Sequence, residues 1–323
     1  MLNKKIINKN ISKIITHCGQ LKRKEKVLIL FDKKTLVLAR IFKSECKKYT
    51  KNIKFEKLKL EKVHGVEPSI KISTLMSNAD LIIGLTTMSI IHTKSRKKAS
   101  QKGARYLSLP LYNFNILKNK AFKTNFKKII LRAKKFKKIL DKGKKVKVLS
   151  NLGTEIVFNI SKRLANDAPG ICYKRGSVAS PPDAEVNIAP VENSKGIIVI
   201  DGCIPIKEIG KLKTKEPITL EIKNGKISKI SGRKSKVLEK IYKDQKNKKA
   251  KIIGELGFGL NPNAHISGEM LIDEGIQGTV HFGMGLSTEG GKNEIPFHLD
   301  HVILKPNVFV DNKKIINNGK III

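Results

Sequence analysis

The feature that most restricts the fold is an alternation. Over residues 26–110, short apolar runs take turns with segments of helical spacing. "KVLILFD" (26–32), "ADLIIGLTT" (79–87) and "ARYLSLP" (104–110) have the length and β-prone composition of buried strands, and "NIKFEKLKL" (52–60) alternates with the period of a strand. Between them, "TLVLARIFKSECKKY" (35–49) and "SIIHTKSRKKASQKG" (89–103) have helical spacing, the second ended by Gly103. Strand and helix in this rhythm require crossover connections. These build a mostly parallel sheet with helices packed on it. An α/β N-terminal domain is therefore expected.

"AFKTNFKKIILRAKKFKKIL" (121–140) follows. Phe122, Phe126, Ile129, Ile130, Ala133, Phe136 and Leu140 recur at helical spacing with lysines elsewhere, which predicts a core-facing amphipathic helix. "DKGKKVKV" (141–148) reads as the junction, giving domains at 1–143 and 144–323. The second domain changes character. "KVLSNLGTEIVFNIS" (147–161), "KGIIVIDG" (195–202), "PITLEIKNGKISKISG" (217–232) and residues 301–323 read as strands and hairpins, with Asn-Gly turn signals at 224–225 and 318–319. One helix, "KSKVLEKIYKDQ" (234–245), interrupts them. This half is expected to be a β-rich α+β domain.

Charge narrows the partners. Residues 1–150 hold 40 Lys/Arg against 8 Asp/Glu, whereas the rest of the chain holds 26 against 19. Such a field could draw nucleic acid, but no nucleic-acid motif accompanies it and Trp is absent, so a nucleic-acid-associated protein ranks third among the functional readings. No apolar run is long enough to span a bilayer, and the basic N-terminus lacks a signal-peptide core, so no membrane partner is expected. Cys18, Cys46, Cys172 and Cys203 form no CxxC pair, which fits a reducing cytoplasm.

Groups able to bind metals and move protons gather in four stretches of the second half. These are "SPPDAEVNIAP" (180–190), "GELGFGLNPNAHISG" (254–268), "LIDEGIQGTVHFGMG" (271–285) and "IPFHLDHVIL" (295–304). In the last, β-prone flanks predict a strand, which would place His298 and Asp300 on one face and His301 on the other. His281, His298 and Asp300 form a two-His, one-carboxylate set able to hold Zn, Mn or Fe. Added glutamates could hold a second metal. Two metals can activate a bridging water and stabilise a tetrahedral intermediate, while a free glutamate carries the proton to a leaving amine.

The pieces "PPDAEVNIAPVENSKG", "GELGFGLNPNA", "DEGIQGTVHFGMG" and "FHLDH" resemble, in order, the aminopeptidase T family of metallopeptidases. "GTEIVFNI" and "SIIHTKSRKKASQKGARYLSLP" are similar to its shorter archaeal and bacterial branch. The resemblance covers most of residues 80–323. It implies metal ligands at Glu185, Glu255, His281, His298 and Asp300, with Glu274 close by and Glu185 and Glu274 in catalytic roles. It further implies two divalent ions (Zn, Co or Mn), a homodimer, and removal of N-terminal residues from peptides. The peptidases place a tyrosine seven residues after the histidine matched by His281, whereas this chain has Thr288. The chain also resembles the 2,5-dihydroxypyridine 5,6-dioxygenases of the same superfamily. That likeness implies a single Fe(II) on His281, His298 and Asp300, a small-molecule substrate, and His92 facing it. The aminopeptidase-like hydrolase is the leading expectation, because Glu185 and Glu255 are not needed as ligands by a mononuclear iron enzyme. The dioxygenase is the alternative.

Overall fold

Val27–Phe31 and Leu81–Leu85 are buried at every position, so both faces of their sheet are covered, as in parallel sheets flanked by helices. In the computed structural model, which describes residues 2–61 and 63–323, this sheet runs in the order Ile53–Lys57, Val27–Phe31, Leu81–Leu85, Arg105–Ser108, Val178–Ala179, and every pair is parallel. The α/β expectation for the N-terminal half is met. Two compact units divide the chain. The first runs to Ile130 and includes Gly170–Pro181; the second comprises Leu131–Pro169 and Pro182–Ile323.

Local chemistry sets the helix limits in the first unit. Leu36–Cys46 buries Leu38, Ala39, Phe42 and Cys46. The helix expected over 89–103 is shorter, Lys94–Gln101, because the Thr93 side chain accepts a hydrogen bond from the Arg96 N–H and caps it there. His92 consequently lies on the exposed turn before the helix. A two-turn helix at Ile70–Ser77, capped by Ser69, is too short to stand out by periodicity. The expected helix at 121–140 is divided. Asn119 caps a single 3-10 turn, Lys120–Lys123, and the α-helix occupies Phe126–Lys142. Of the residues predicted to face the core, Phe122, Phe126, Ile129, Ala133, Phe136 and Leu140 are buried, and Ile130 is half-buried. All four cysteines are buried free thiols. Among the described residues, no helix is long and apolar enough to cross a membrane.

The second unit is β-rich, as expected. An eight-stranded sheet has the order Lys226–Gly232, Ile218–Lys223, Lys195–Ile200, Glu155–Asn159, Lys145–Leu149, Asn307–Val310, Lys313–Asn317, Lys320–Ile321. Its predicted turns hold: Asn224–Gly225 and Asn318–Gly319 both take positive φ, as two-residue hairpin turns require. A seven-stranded sheet has the order Gly210–Lys211, Cys203–Ile204, His298–Ile303, Val280–Gly285, Ile253–Gly259, Glu185–Ile188, Asn166–Ala168. Every pairing in it is antiparallel. Phe258, Val280, Phe282 and Met284 lie on its core side, with Leu299 and Ile303 opposite Met284 and Val280 on the neighbouring strand. Phe282 stacks on Phe158 of the eight-stranded sheet at 5.8 Å, and Phe258 meets Phe136 of the long helix at 4.8 Å. The alternate positions face the other way and carry the site: odd-numbered in Glu185–Ile188, Ile253–Gly259 and Val280–Gly285, even-numbered in His298–Ile303.

Candidate metal centre

Strand register brings the candidate ligands together. Asp300 lies opposite Gly283 and His298 opposite Gly285. Glu255 also lies opposite Gly283, His281 opposite Gly257, and Glu185 opposite Gly259. Directly opposed residues share a face, so His298, Asp300, His281, Glu255 and Glu185 all project from one side of four adjacent strands. Each faces a glycine across the ladder. The glycines are the space into which the side chains lean. A Cβ built on Gly257 would overlap the His281 ring, and one on Gly283 would lie 2.6 Å from His298 Cε1 and 2.8 Å from Glu255 Cβ. The crowding of glycines in the sequence thus has a steric cause.

Two three-residue groups result, Glu185 with Glu255 and His281, and Glu255 with His298 and Asp300. Glu255 belongs to both. His281 Nε2 is 2.9 Å from Glu185 Oε2 and 3.7 Å from Glu255 Oε1. His298 Nε2 is 3.2 Å from Glu255 Oε2 and 3.3 Å from Asp300 Oδ1. His298 Nδ1 lies 2.8 Å from the Leu286 carbonyl, a pure acceptor, so Nδ1 carries the proton and Nε2 is free to bind a cation. His301, as expected, points away. Its Nδ1 donates to the Phe282 carbonyl and its Nε2 accepts from Tyr242 Oη at 3.1 Å, and burial holds its pKa down to about 4.

Glu274 and Asp183 complete the cluster. Asp183 lies in the stretch 180–190, and the sequence alone assigns it no role. Its signal was the Asp-x-Glu spacing ahead of Glu185, although it precedes the strand itself. Burial, then the charge of Glu185, raises the Asp183 pKa well above the usual carboxylate value. Burial, then Asp300 and Asp183, does the same for Glu274. Burial also raises Glu185, against the pull of His281. Burial works to raise Glu255 too, but hydrogen bonds from His281 and His298 hold it at about 2. Asp300 is likewise held low by His298 in spite of burial. Both histidines are pushed well above their usual value, because Glu185 and Asp300 outweigh the burial that lowers them.

Five carboxyl groups thus converge on two imidazoles, in a site that is buried except for the half-buried His298 and Glu274. Several of their atoms, including Asp183 Oδ1, Glu274 Oε1 and Asp300 Oδ1, are buried with no hydrogen-bond partner. Glu185 Oε2, though close to His281, is not met by an aligned hydrogen bond either. Buried acceptors left open cost about 1–3 kcal/mol each, more when charged, and the chain tolerates several here. A divalent cation held by Glu185, Glu255 and His281, or by Glu255, His298 and Asp300, satisfies the open atoms of its own group. Mixed imidazole and carboxylate donors suit Fe, Mn or Zn. The residues present fit such an ion.

The remaining candidates lie elsewhere. His92 is on its exposed turn in the first unit. His265 is exposed beside the Asn263 carbonyl. Asp273 accepts from Ser267 and Gly268 and closes their loop.

Comparison with known proteins sharpens the chemistry. The family model NicX, 2,5-dihydroxypyridine 5,6-dioxygenase, matches residues 9–323. No curated protein matches the chain. Among the solved structures that share its fold are these two. The 2,5-dihydroxypyridine dioxygenase of Pseudomonas putida KT2440 superposes with a TM-score of 0.84 at 18% identity, covering 98% of this chain and 96% of that one. Wild-type AmpT of Thermus thermophilus superposes with a TM-score of 0.70 at 13% identity, covering 99% and 100%. These findings overturn the hydrolytic expectation, and the peptidase and protease labels with it. The expectation erred because a histidine–carboxylate set serves both chemistries. The position that separated them, Thr288, turns its hydroxyl to Asn187.

Proposed function

The chain belongs to the 2,5-dihydroxypyridine 5,6-dioxygenase family, and from that premise we propose that it is a ring-cleaving dioxygenase acting on a dihydroxylated N-heteroaromatic. The proposal places one Fe(II) on His281, His298 and Asp300. The observation that carries it is the shared face: His298 and Asp300 two apart on one strand, with His281 on the next strand and aimed the same way. A bound Fe(II) supplies the redox centre at which dioxygen reacts with the ring.

The chain's own groups prepare that position. Glu255, kept ionised, faces both imidazoles and balances cationic charge. Glu274, whose pKa is raised by burial and by Asp300, lies beside the ligands and is the group positioned to exchange a proton with a substrate hydroxyl. Burial of Glu185, Glu255, His281 and Asp300 keeps water from competing for the cation. The test is anaerobic loading with Fe(II), then oxygen uptake on 2,5-dihydroxypyridine. The expected result is one iron per chain and one O₂ consumed per ring opened. Iron-loaded protein that consumes no oxygen on any dihydroxypyridine isomer would refute the proposal.

A further inference from the structure

A chain of buried hydrogen bonds ends on the outer carboxylate of the cluster. Asn187 sits two residues after Glu185 on the same strand and face. Its Nδ2 donates to Glu185 Oε1 at 2.6 Å. Its Oδ1 accepts from Thr288 Oγ1 at 2.9 Å and from Asn166 Nδ2 at 3.0 Å. Asn166 Nδ2 also reaches Thr288 Oγ1 at 3.3 Å. Asn187 and Thr288 are both buried, so water does not substitute for these partners.

An amide can present either its oxygen or its nitrogen in a given direction. Two donors aimed at one end settle the choice here. Asn187 must present Oδ1 to Thr288 and Asn166, and therefore Nδ2 to Glu185. Glu185 Oε1 is thereby occupied, and Oε2 is the atom left facing His281 Nε2 at 2.9 Å. Were the amide reversed, its oxygen would meet the Glu185 carboxylate and repel it.

We propose that Thr288 and Asn166, acting through Asn187, are positioning residues that fix which Glu185 oxygen faces His281 Nε2, the ligand nitrogen, and so tune how tightly a cation is held there. Thr288 thus has a defined task at the position where the peptidases carry a tyrosine. The inference rests on the cation reading of the site and not on the oxygenase chemistry. The loop delivers Thr288 rigidly: its N–H donates to the Gly254 carbonyl, next to Glu255, and its own carbonyl accepts from Gly291 N–H.

The test uses Co(II) alone, titrated into the metal-free full-length protein and followed by its visible absorption bands and by calorimetry. Outer hydrogen-bond partners of metal ligands are worth about 10–100-fold in metal affinity. Thr288→Val removes the donor at constant volume and is expected to weaken Co(II) binding by about 10-fold and to alter the absorption bands. Thr288→Ser keeps the donor and is expected to restore both. Asn187→Leu is expected to weaken binding by more than Thr288→Val, and Asn166→Ala, at the half-buried end, by less. Asn166→Ala also serves if Thr288→Val does not fold. Wild-type affinity and an unchanged spectrum in Thr288→Val or, failing that protein, in Asn166→Ala would overturn the inference. So would equal loss in Thr288→Val and Thr288→Ser, or a wild-type protein that binds no Co(II). Co(II) binding that follows this pattern in a protein inert toward dihydroxypyridines would refute the proposed reaction and leave the positioning role standing.

Discussion

Asp32 and Asp300 are both nearly inaccessible, at 2% and 3% exposure, and the two units treat them in opposite ways. Asp32 follows the first strand of the parallel sheet. Its Oδ1 accepts from the N–H groups of Lys34 and Thr35, and its Oδ2 accepts from Thr87 N–H. The chain itself satisfies this carboxylate, which ties two loops together. Asp300 sits among carboxylates and imidazoles, and its Oδ1 has no hydrogen-bond partner. A buried carboxylate met by backbone donors is a fastening. One left open among other ligand atoms is a place kept for a cation. The contrast separates structural from functional acid more sharply than burial does.

The contrast breaks first, if it is wrong, at Asp300. Asp300→Ala is expected to remove iron and to lower oxygen uptake by more than the about 100-fold that loss of an outer partner can cost, because a direct ligand is gone. Thermal stability of the metal-free protein should also fall, because His298 loses the buried carboxylate that raises its pKa. Metal analysis, oxygen uptake and a melting curve read the three effects. Retention of iron would place Asp300 with Asp32 as a fastening.

The glycines offer the next test. Gly257→Ala puts a methyl group into the His281 ring, and Gly283→Ala puts one against His298 and Glu255. Either ring must swing away from the other ligands. Iron affinity is expected to fall by at least the roughly 10–100-fold range of outer-partner mutations, while far-UV circular dichroism stays that of the wild type. Tight iron binding in Gly257→Ala would show that the His281 pose is not the binding pose.

These glycines mark the limit of what the sequence makes legible. The parallel sheet could be read because "KVLILF" and "LIIGL" are buried on both faces and need no partner to be recognised. His298 and Asp300 could be read because strand periodicity alone puts them on one face. Registers between strands distant in sequence cannot be read this way. That Gly257 lies opposite His281, or that Thr288 reaches Asn187 across 101 positions, depends on pairing that only the folded sheet displays. The helix start at Lys94 is not legible in apolar spacing, because the Thr93 side-chain cap sets it within a segment that has helical spacing from residue 89. The chemistry was misjudged because donor types do not distinguish a hydrolytic metal from an oxygen-activating one.

Asp32→Ala tests the other side of the contrast. It leaves three N–H donors of the first unit without their carboxylate. Destabilisation of about 3 kcal/mol is expected, from hydrogen bonds to a charged acceptor worth roughly 1.5–3 kcal/mol each and partly replaced by water. Iron per folded chain should be unchanged. Denaturant titration and metal analysis check both. Loss of iron without loss of stability would give Asp32 a functional role.

The smallest effect is a slope in pH, and its sign follows from the direction of the shifts. His281 and His298 have folded pKa values raised above 6.5, so the stability they contribute is complete below pH 6.5 and is lost as pH rises through the folded values. Asp183, Glu185 and Glu274 are also raised, so their contribution is lost in the same upward direction, from the unfolded carboxylate range up to their folded values. Glu255 and Asp300 are lowered. Their contribution is complete above the unfolded carboxylate range and adds no slope near neutrality. The metal-free protein should therefore melt at progressively lower temperature as pH increases from 6.5. The slope is on the order of 1.4 kcal/mol per pH unit for each proton held by the folded state and not by the unfolded one. A saturating divalent cation displaces those protons and takes over the charge balance, so the slope should flatten or reverse when Mn(II) is added. Melting curves with chelator and with Mn(II) at several pH values decide it. Parallel curves in the two conditions would mean that the cluster is balanced by the chain's own protons, in the way Asp32 is balanced by backbone donors.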